Sequence, residues 1–217
     1  MSESIILDED QYQLNIKRVL AYQEQLHSEE GEAQLKYLMQ DRGLSLDTIN
    51  KFYLGAVIDP DPLDRPAIGR ISIPIINMRG PASIRFRALG AGDPKYWSPA
   101  GTRTTIFNVT ELVTALDYVV IAEGEIECMT LSQCGIPAVG ISGAQAWKSH
   151  YRYLFDGLRR VYVAGDGDEA GRSFTEKVAA QVPGPHPVAL PEGMDINDLY
   201  LSGGAEAVRE LIGLKED

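Results

Sequence analysis

Residues 163–174 read VAGDGDEAGRSF. An apolar run ends in two aspartates one residue apart, Asp166 and Asp168, and a helical pattern starts directly behind them. The pair either caps that helix or holds a metal ion over a phosphate, and a short motif alone does not separate the two.

The flanking sequence repeats the same arrangement. From residue 118 short apolar runs (DYVVIA, PAVGIS, RRVYVAG, HPVALP) alternate with helical patterns (GEIECMTLSQCG, AQAWKSHYRYLFDG, EAGRSFTEKVAAQV, INDLYLSGGAEAVRELIG). That rhythm predicts a parallel sheet covered by helices on both faces. Glu123 ends the first run, Asp166 and Asp168 the third, and Asp195 follows the fourth, so right-handed crossovers bring these acids to one rim of the sheet. Glu127 lies one helical turn beyond Glu123, and Asp198 is a weaker member. Two carboxylates at ~4 Å repel by roughly 4 kcal/mol at an effective dielectric of ~20, so a cluster of this kind takes up protons or a cation. All-oxygen donors select Mg²⁺ or Mn²⁺. Zinc is not expected, because Cys128 and Cys134 have no zinc-motif spacing and the three histidines are scattered.

The first half has a different texture. Residues 12–28 and 33–40 read as helices, and Ser45 caps a third through about Phe52. In ISIPII and SIRFRAL alternation puts Ile71, Ile73 and Ile75 on one face, Ile84, Phe86 and Ala88 on one face, and Arg85 with Arg87 opposite the latter. A small antiparallel sheet with arginines on one side follows, then a Gly/Pro-rich loop carrying Lys95 and Arg103. The expected organisation is α/β (α+β overall), with a small basic α+β subdomain at 1–117 before the parallel-sheet subdomain at 118–217.

The 217 residues carry a net charge of −11. That average conceals a basic island: residues 65–103 hold 7 basic and 1 acidic side chain, whereas residues 1–64 hold 5 and 13. An island of this kind beside a carboxylate-rich half suggests a phosphate-binding surface next to a metal site. No apolar stretch approaches the roughly 20 residues a membrane span needs, and the acidic MSESIILDED start does not support a secretory signal, so a cytoplasmic protein without membrane contacts is expected.

The segments EGEIECMTL (123–131), AGDGDEAGRSF (164–174) and PEGMDINDLY (191–200) resemble, in order and spacing, the three signatures of the Toprim domain shared by DnaG-type primases, type IA and II topoisomerases and certain nucleases. YLMQDRGLSLDTINKFYLG (37–55) and RISIPIINMRGPASIRFRALGAGDPKYWSP (70–99) resemble segments of the DnaG-type primase core that topoisomerases and nucleases lack. The resemblance covers about residues 33–212. It implies a Toprim parallel sheet flanked by helices and a nucleotidyltransferase that makes short RNA primers from NTPs on single-stranded DNA.

By the same resemblance Glu123 is a metal ligand or the proton acceptor for the attacking hydroxyl, Asp166 and Asp168 hold Mg²⁺, and Asp195 belongs to their cluster. Arg42, Arg87 and Lys95 match positions that contact template or nucleotide phosphates, with Arg85 and Tyr96 as neighbours. The basic island of Arg65, Arg70, Arg79, Arg85, Arg87, Lys95 and Arg103 would track template and triphosphate, while Tyr96 and Trp97 are candidates for base stacking and Phe86 for the core. The chain departs from the family pattern at Glu127, where Asp is usual, at Asn197, where Asp is frequent, and at Val109, where a basic residue is common. The zinc-binding and helicase-binding modules fall outside the resemblance, which implies a minimal phage-like core working with a replicative helicase or a separate zinc-binding protein. Two rival readings are a Toprim nuclease and a non-catalytic module that binds DNA or a helicase. A topoisomerase is disfavoured, because the chain has no room for the separate domains that carry its tyrosine nucleophile.

Overall fold

The computed structural model describes residues 9–90, 92, 94–102, 105–115 and 117–214. Two compact units emerge, Met1–Asp41 with Ile49–Arg103, and Arg42–Thr48 with Thr104–Asp217. Residue 117, the expected boundary, lies inside the second unit. Phe107 and Gly140 exchange backbone hydrogen bonds of 2.8 and 3.1 Å, which ties the segment before 117 to the edge of the second sheet.

In the first unit α1 (Glu9–Leu26) buries Tyr12, Val19, Tyr22 and Leu26, one stripe of an amphipathic helix. α2 (Glu32–Lys36) runs into a π-type turn at Tyr37–Asp41. α3 (Leu46–Lys51) opens on Ser45, whose Oγ accepts from the Thr48 amide at 3.2 Å, and carries the chain from one unit to the other. Strands β1 (Gly55–Ala56), β2 (Ile71–Asn77), β3 (Gly80–Arg87) and β4 (Tyr96–Trp97) form an antiparallel sheet in sequential order. Its register differs from the simplest reading of the alternation. Ile71 lies opposite Arg87 and Ile73 opposite Arg85, so the isoleucines share the arginines' face, while Ile84 and Phe86 pack on the other face against Val19 and Tyr22 of α1. Both faces are covered: Ile71, Ile73, Ile75, Ile84, Phe86 and Arg87 are all buried, and Arg85 is half-buried. Under this sheet Arg18 of α1 makes a paired contact with Asp64, Nε to Oδ2 at 2.8 Å and Nη2 to Oδ1 at 2.5 Å, and the Tyr22 hydroxyl donates to the same carboxylate at 2.6 Å.

The second unit is a parallel sheet in the order β6-β5-β7-β8, built from β5 (Tyr118–Ala122), β6 (Ala138–Gly140), β7 (Arg160–Ala164) and β8 (Pro185–Val188). α4 (Glu125–Gln133), α5 (Glu169–Ala179) and α6 (Ile196–Ile212, kinked at Gly204) follow β5, β7 and β8. This is the expected doubly covered parallel sheet. Residues 144–157, expected as one helix, instead form two 3-10 turns, Ala144–Ala146 and Ser149–Phe155. Trp147 takes extended backbone between them, and its ring packs with Tyr151 and Phe155 in the core beside Val161, Val163 and Phe174. Burying three aromatics outweighs one continuous helix.

Candidate active site

Glu123 follows β5 directly and Asp166 lies two residues past β7, neighbouring strands paired from Tyr118↔Arg160 to Ala122↔Ala164. The strand ends therefore deliver both acids to one rim. The Asp166 amide donates to Glu123 Oε2 at 3.3 Å. Burial pushes the Glu123 carboxyl above the usual range and the nearby Asp168 charge adds to this, while the Asp166 amide pulls the other way. Glu127 folds back over the same turn. A Cβ on Gly124 would stand 2.4 Å from Glu127 Oε2, so glycine is what lets that carboxylate lie there.

Close backbone approach explains the other glycines of the motif. A Cβ on Gly171 would meet the Asp166 carbonyl oxygen at 2.1 Å, and one on Gly167 the Pro191 carbonyl oxygen at 1.9 Å. The Gly167 amide donates to Met194 O at 2.8 Å and Gly193 N to Gly167 O at 3.0 Å, which clamps the Asp166–Asp168 loop to the segment leading into Asp195.

Two of the acids are committed to helix caps. Asp168 Oδ1 accepts from the Gly171 amide at 2.7 Å at the start of α5. Asp195 Oδ1 accepts from the Asp198 amide at 2.7 Å, and Asp198 Oδ2 accepts from the Asp195 amide at 3.2 Å, a reciprocal capping box at α6. For Asp168 the cap and a place near Glu123 coexist.

Arg42 belongs to this unit. Its carbonyl accepts from Nδ2 of fully buried Asn197 at 2.8 Å, and the same nitrogen donates to Thr130 Oγ1 at 3.0 Å. Aspartate would have no N–H to donate, which gives a physical reason for asparagine here. The spacing of acids does not single out Glu125, yet this residue is 1 % exposed and accepts from Ser142 Oγ at 2.7 Å. Its only signal in the sequence is the run E-G-E-I-E, with a third acid in the opening turn of an otherwise apolar helix.

In the first unit β3 and β4 gather the basic candidates. Arg85 lies over the Tyr96 ring at 4.0 Å. Arg87 is only 2 % exposed, bonded through Nε to the Tyr37 hydroxyl at 3.1 Å and through Nη1 to the Tyr96 hydroxyl. It is a buried structural cation, while Arg85 on the same face is half-buried. Arg70 donates to the Pro94 carbonyl at 2.8 Å beside exposed Lys95. Phe86 is core as expected, and Trp97 packs on it at 5.5 Å rather than standing out as a platform. Arg65 is exposed, and Arg79 lies over Tyr12 at 4.8 Å. Arg103 lies outside the described residues.

Among the described residues no three His, Cys, Asp or Glu side chains stand close enough to share one ion. The donor set nevertheless suits Mg²⁺, which typically keeps several waters and needs only one or two carboxylates. Glu123 and Asp166 supply two on adjacent strand ends, and the Glu123 carboxyl is pushed up chiefly by burial and to a lesser extent by the Asp168 charge, both of which a bound cation would offset.

A parallel sheet with acids after two adjacent strands and an Asp-Gly-Asp loop clamped to the next turn defines a Toprim protein, and the Toprim-like family profile matches residues 120–200. The chain is 43 % identical over 131 residues to the Gene 57 protein of Mycobacterium phage D29, covering 60 % of this chain and 86 % of that one. It is 26 % identical over 231 residues to the DNA primase of Chlamydia muridarum, covering 87 % of this chain and 38 % of the primase. A solved structure of the DnaG primase catalytic domain bound to ssDNA superposes with a TM-score of 0.77 at 23 % identity, over 93 % of this chain and 77 % of that one. The chain is a relative of that phage protein, carries a Toprim-like domain over residues 120–200 and has the fold of the DnaG primase catalytic core. It spans little more than a third of the Chlamydia primase. No helix among the described residues is long and apolar enough to cross a membrane.

Proposed function

We propose that this chain is the catalytic core of a DNA primase, a nucleotidyltransferase that joins NTPs into short RNA on a single-stranded DNA template. The observation that carries the proposal is the Glu123–Asp166 contact at the rim of a DnaG-type core, where the Asp166 amide holds the half-buried Glu123 carboxylate at the end of the neighbouring strand. Bound Mg²⁺ or Mn²⁺ would neutralise triphosphate charge and favour loss of pyrophosphate. Glu123 and Asp166 are the residues to hold it. Asp168 and Asp195 shape the two loops by capping α5 and α6 and add negative potential at the rim. Arg42 is held beside α6 through its own carbonyl, and its guanidinium is a cation suited to phosphate charge.

In the basic unit Arg70, Arg85 and Lys95 offer cations to the template backbone, with Tyr96 fixed between Arg85 and Arg87. Support for a DNA template comes from the ssDNA-bound DnaG domain that shares this fold. A replicative helicase or a separate zinc-binding protein would supply template selection.

The test is incubation with single-stranded DNA, labelled NTPs and Mg²⁺ or Mn²⁺. Short RNA that disappears in Asp166→Asn is the expected result. Cut DNA would assign a nuclease, and neither product would assign a binding module. Full synthesis by folded Asp166→Asn would remove the metal role of the rim.

A further inference from the structure

Glu125 opens α4 yet is 1 % exposed, too deep to touch a nucleotide. A buried carboxyl is retained at a cost and needs polar partners. Ser142 Oγ supplies one at 2.7 Å, and the first turn of α4 adds its positive end.

Ser142 is itself buried, two residues past β6, and its neighbours grip the adjacent loop. The Ile141 amide donates to Ala122 O at 2.9 Å and the Gly143 amide to Glu123 O at 3.0 Å. Three consecutive residues after β6 therefore hold three points around Glu123: the carbonyl before it, its own carbonyl, and the carboxyl two residues on. We infer that the Glu125–Ser142 hydrogen bond is a positioning clamp, fixing the Glu123 backbone so that its carboxylate points at the Asp166 loop and is preset for a divalent cation. The clamp lies behind the metal-holding pair of the proposed function and rests on that reading. Partners behind a ligand typically change metal affinity or activity by 10–100-fold when removed.

Mn²⁺ binding to the nucleotide-free chain, titrated by electron paramagnetic resonance, reads the clamp without turnover. Ser142→Ala is expected to weaken Mn²⁺ binding about 10-fold and to lower kcat for RNA synthesis by a similar factor, with KM for NTP little changed. Glu125→Gln keeps an acceptor for Ser142 and should retain more affinity than Ser142→Ala. The double variant Ser142→Ala, Glu125→Met separates positioning from folding. With both polar partners gone the melting temperature should return towards wild type, while Mn²⁺ affinity stays low. Wild-type Mn²⁺ affinity in Ser142→Ala or in the double variant overturns the clamp. If the wild-type chain makes no RNA but its Mn²⁺ affinity falls in both variants, the primase reading fails and the clamp stands. A wild-type chain that binds no Mn²⁺ overturns the clamp, and RNA synthesis then decides the primase reading separately.

Discussion

Asn197→Asp changes one atom type in the interior of the second unit and exposes the logic of its last helix. The amide orientation is fixed by its partners. The Arg42 carbonyl can only accept, and the Thr130 hydroxyl already donates to Ile126 O at 2.9 Å, so both need the Asn197 nitrogen. A carboxylate there loses two hydrogen bonds worth about 0.5–1.5 kcal/mol each and turns a negative oxygen towards a carbonyl in a site with no exposure. With the charge uncompensated the loss should reach about 3–5 kcal/mol at neutral pH. Protonation restores one O–H donor, leaving a deficit of about 1 kcal/mol.

The difference of about 2–4 kcal/mol corresponds to a carboxyl raised by roughly 1.5–3 pH units from its unfolded value near 3.9. Because the folded value is the higher one, the variant is nearest to wild type below about pH 4 and loses stability as pH rises towards about 6–7, with no further loss above. Urea unfolding of wild type, Asn197→Asp and Asn197→Leu at pH 5 and pH 8 checks this. The leucine variant should show a deficit without pH dependence. An Asn197→Asp protein as stable as wild type at pH 8, or equally weakened at both values, would refute the assignment of Asn197 as the pin between α6 and Arg42.

Glu123→Gln should raise the melting temperature at pH 8 while abolishing synthesis. The folded Glu123 carboxyl is held above its unfolded value, so its charge costs stability once the pH exceeds that value, and added Mg²⁺ should stabilise wild type but not the variant. Asp64→Ala leaves the Arg18 guanidinium buried and unpaired, with an expected loss of about 3–5 kcal/mol in urea unfolding of the first unit. Arg18→Met combined with Asp64→Leu should recover most of it. Gly167→Ala must part the two loops, because its Cβ would stand 1.9 Å from the Pro191 oxygen, and a cost of about 1–3 kcal/mol with strong loss of activity is expected in thermal melts and primer assays.

The placement of Glu123 and Asp166 on adjacent strand ends was legible in the sequence because it follows from local facts. Apolar runs of five residues name the strands, the acids stand directly behind them, and parallel crossovers of one hand leave them no choice of rim. What escaped depends on pairing at a distance. Alternation says that Ile71, Ile73 and Ile75 share one side of β2 and that Arg85 and Arg87 share one side of β3, but only register says whether those sides coincide. The turn at Met78–Arg79 and the register shift between Ile75 and Ile76 set Ile73 against Arg85, and Arg87 is drawn beneath Tyr37 and Tyr96. The same holds for Arg42, whose backbone is anchored by one asparagine 155 positions away. Asp168 shows why the initial alternatives did not exclude each other: a carboxylate has two oxygens, and one committed to the Gly171 amide leaves the residue's charge at the rim that a cation would seek.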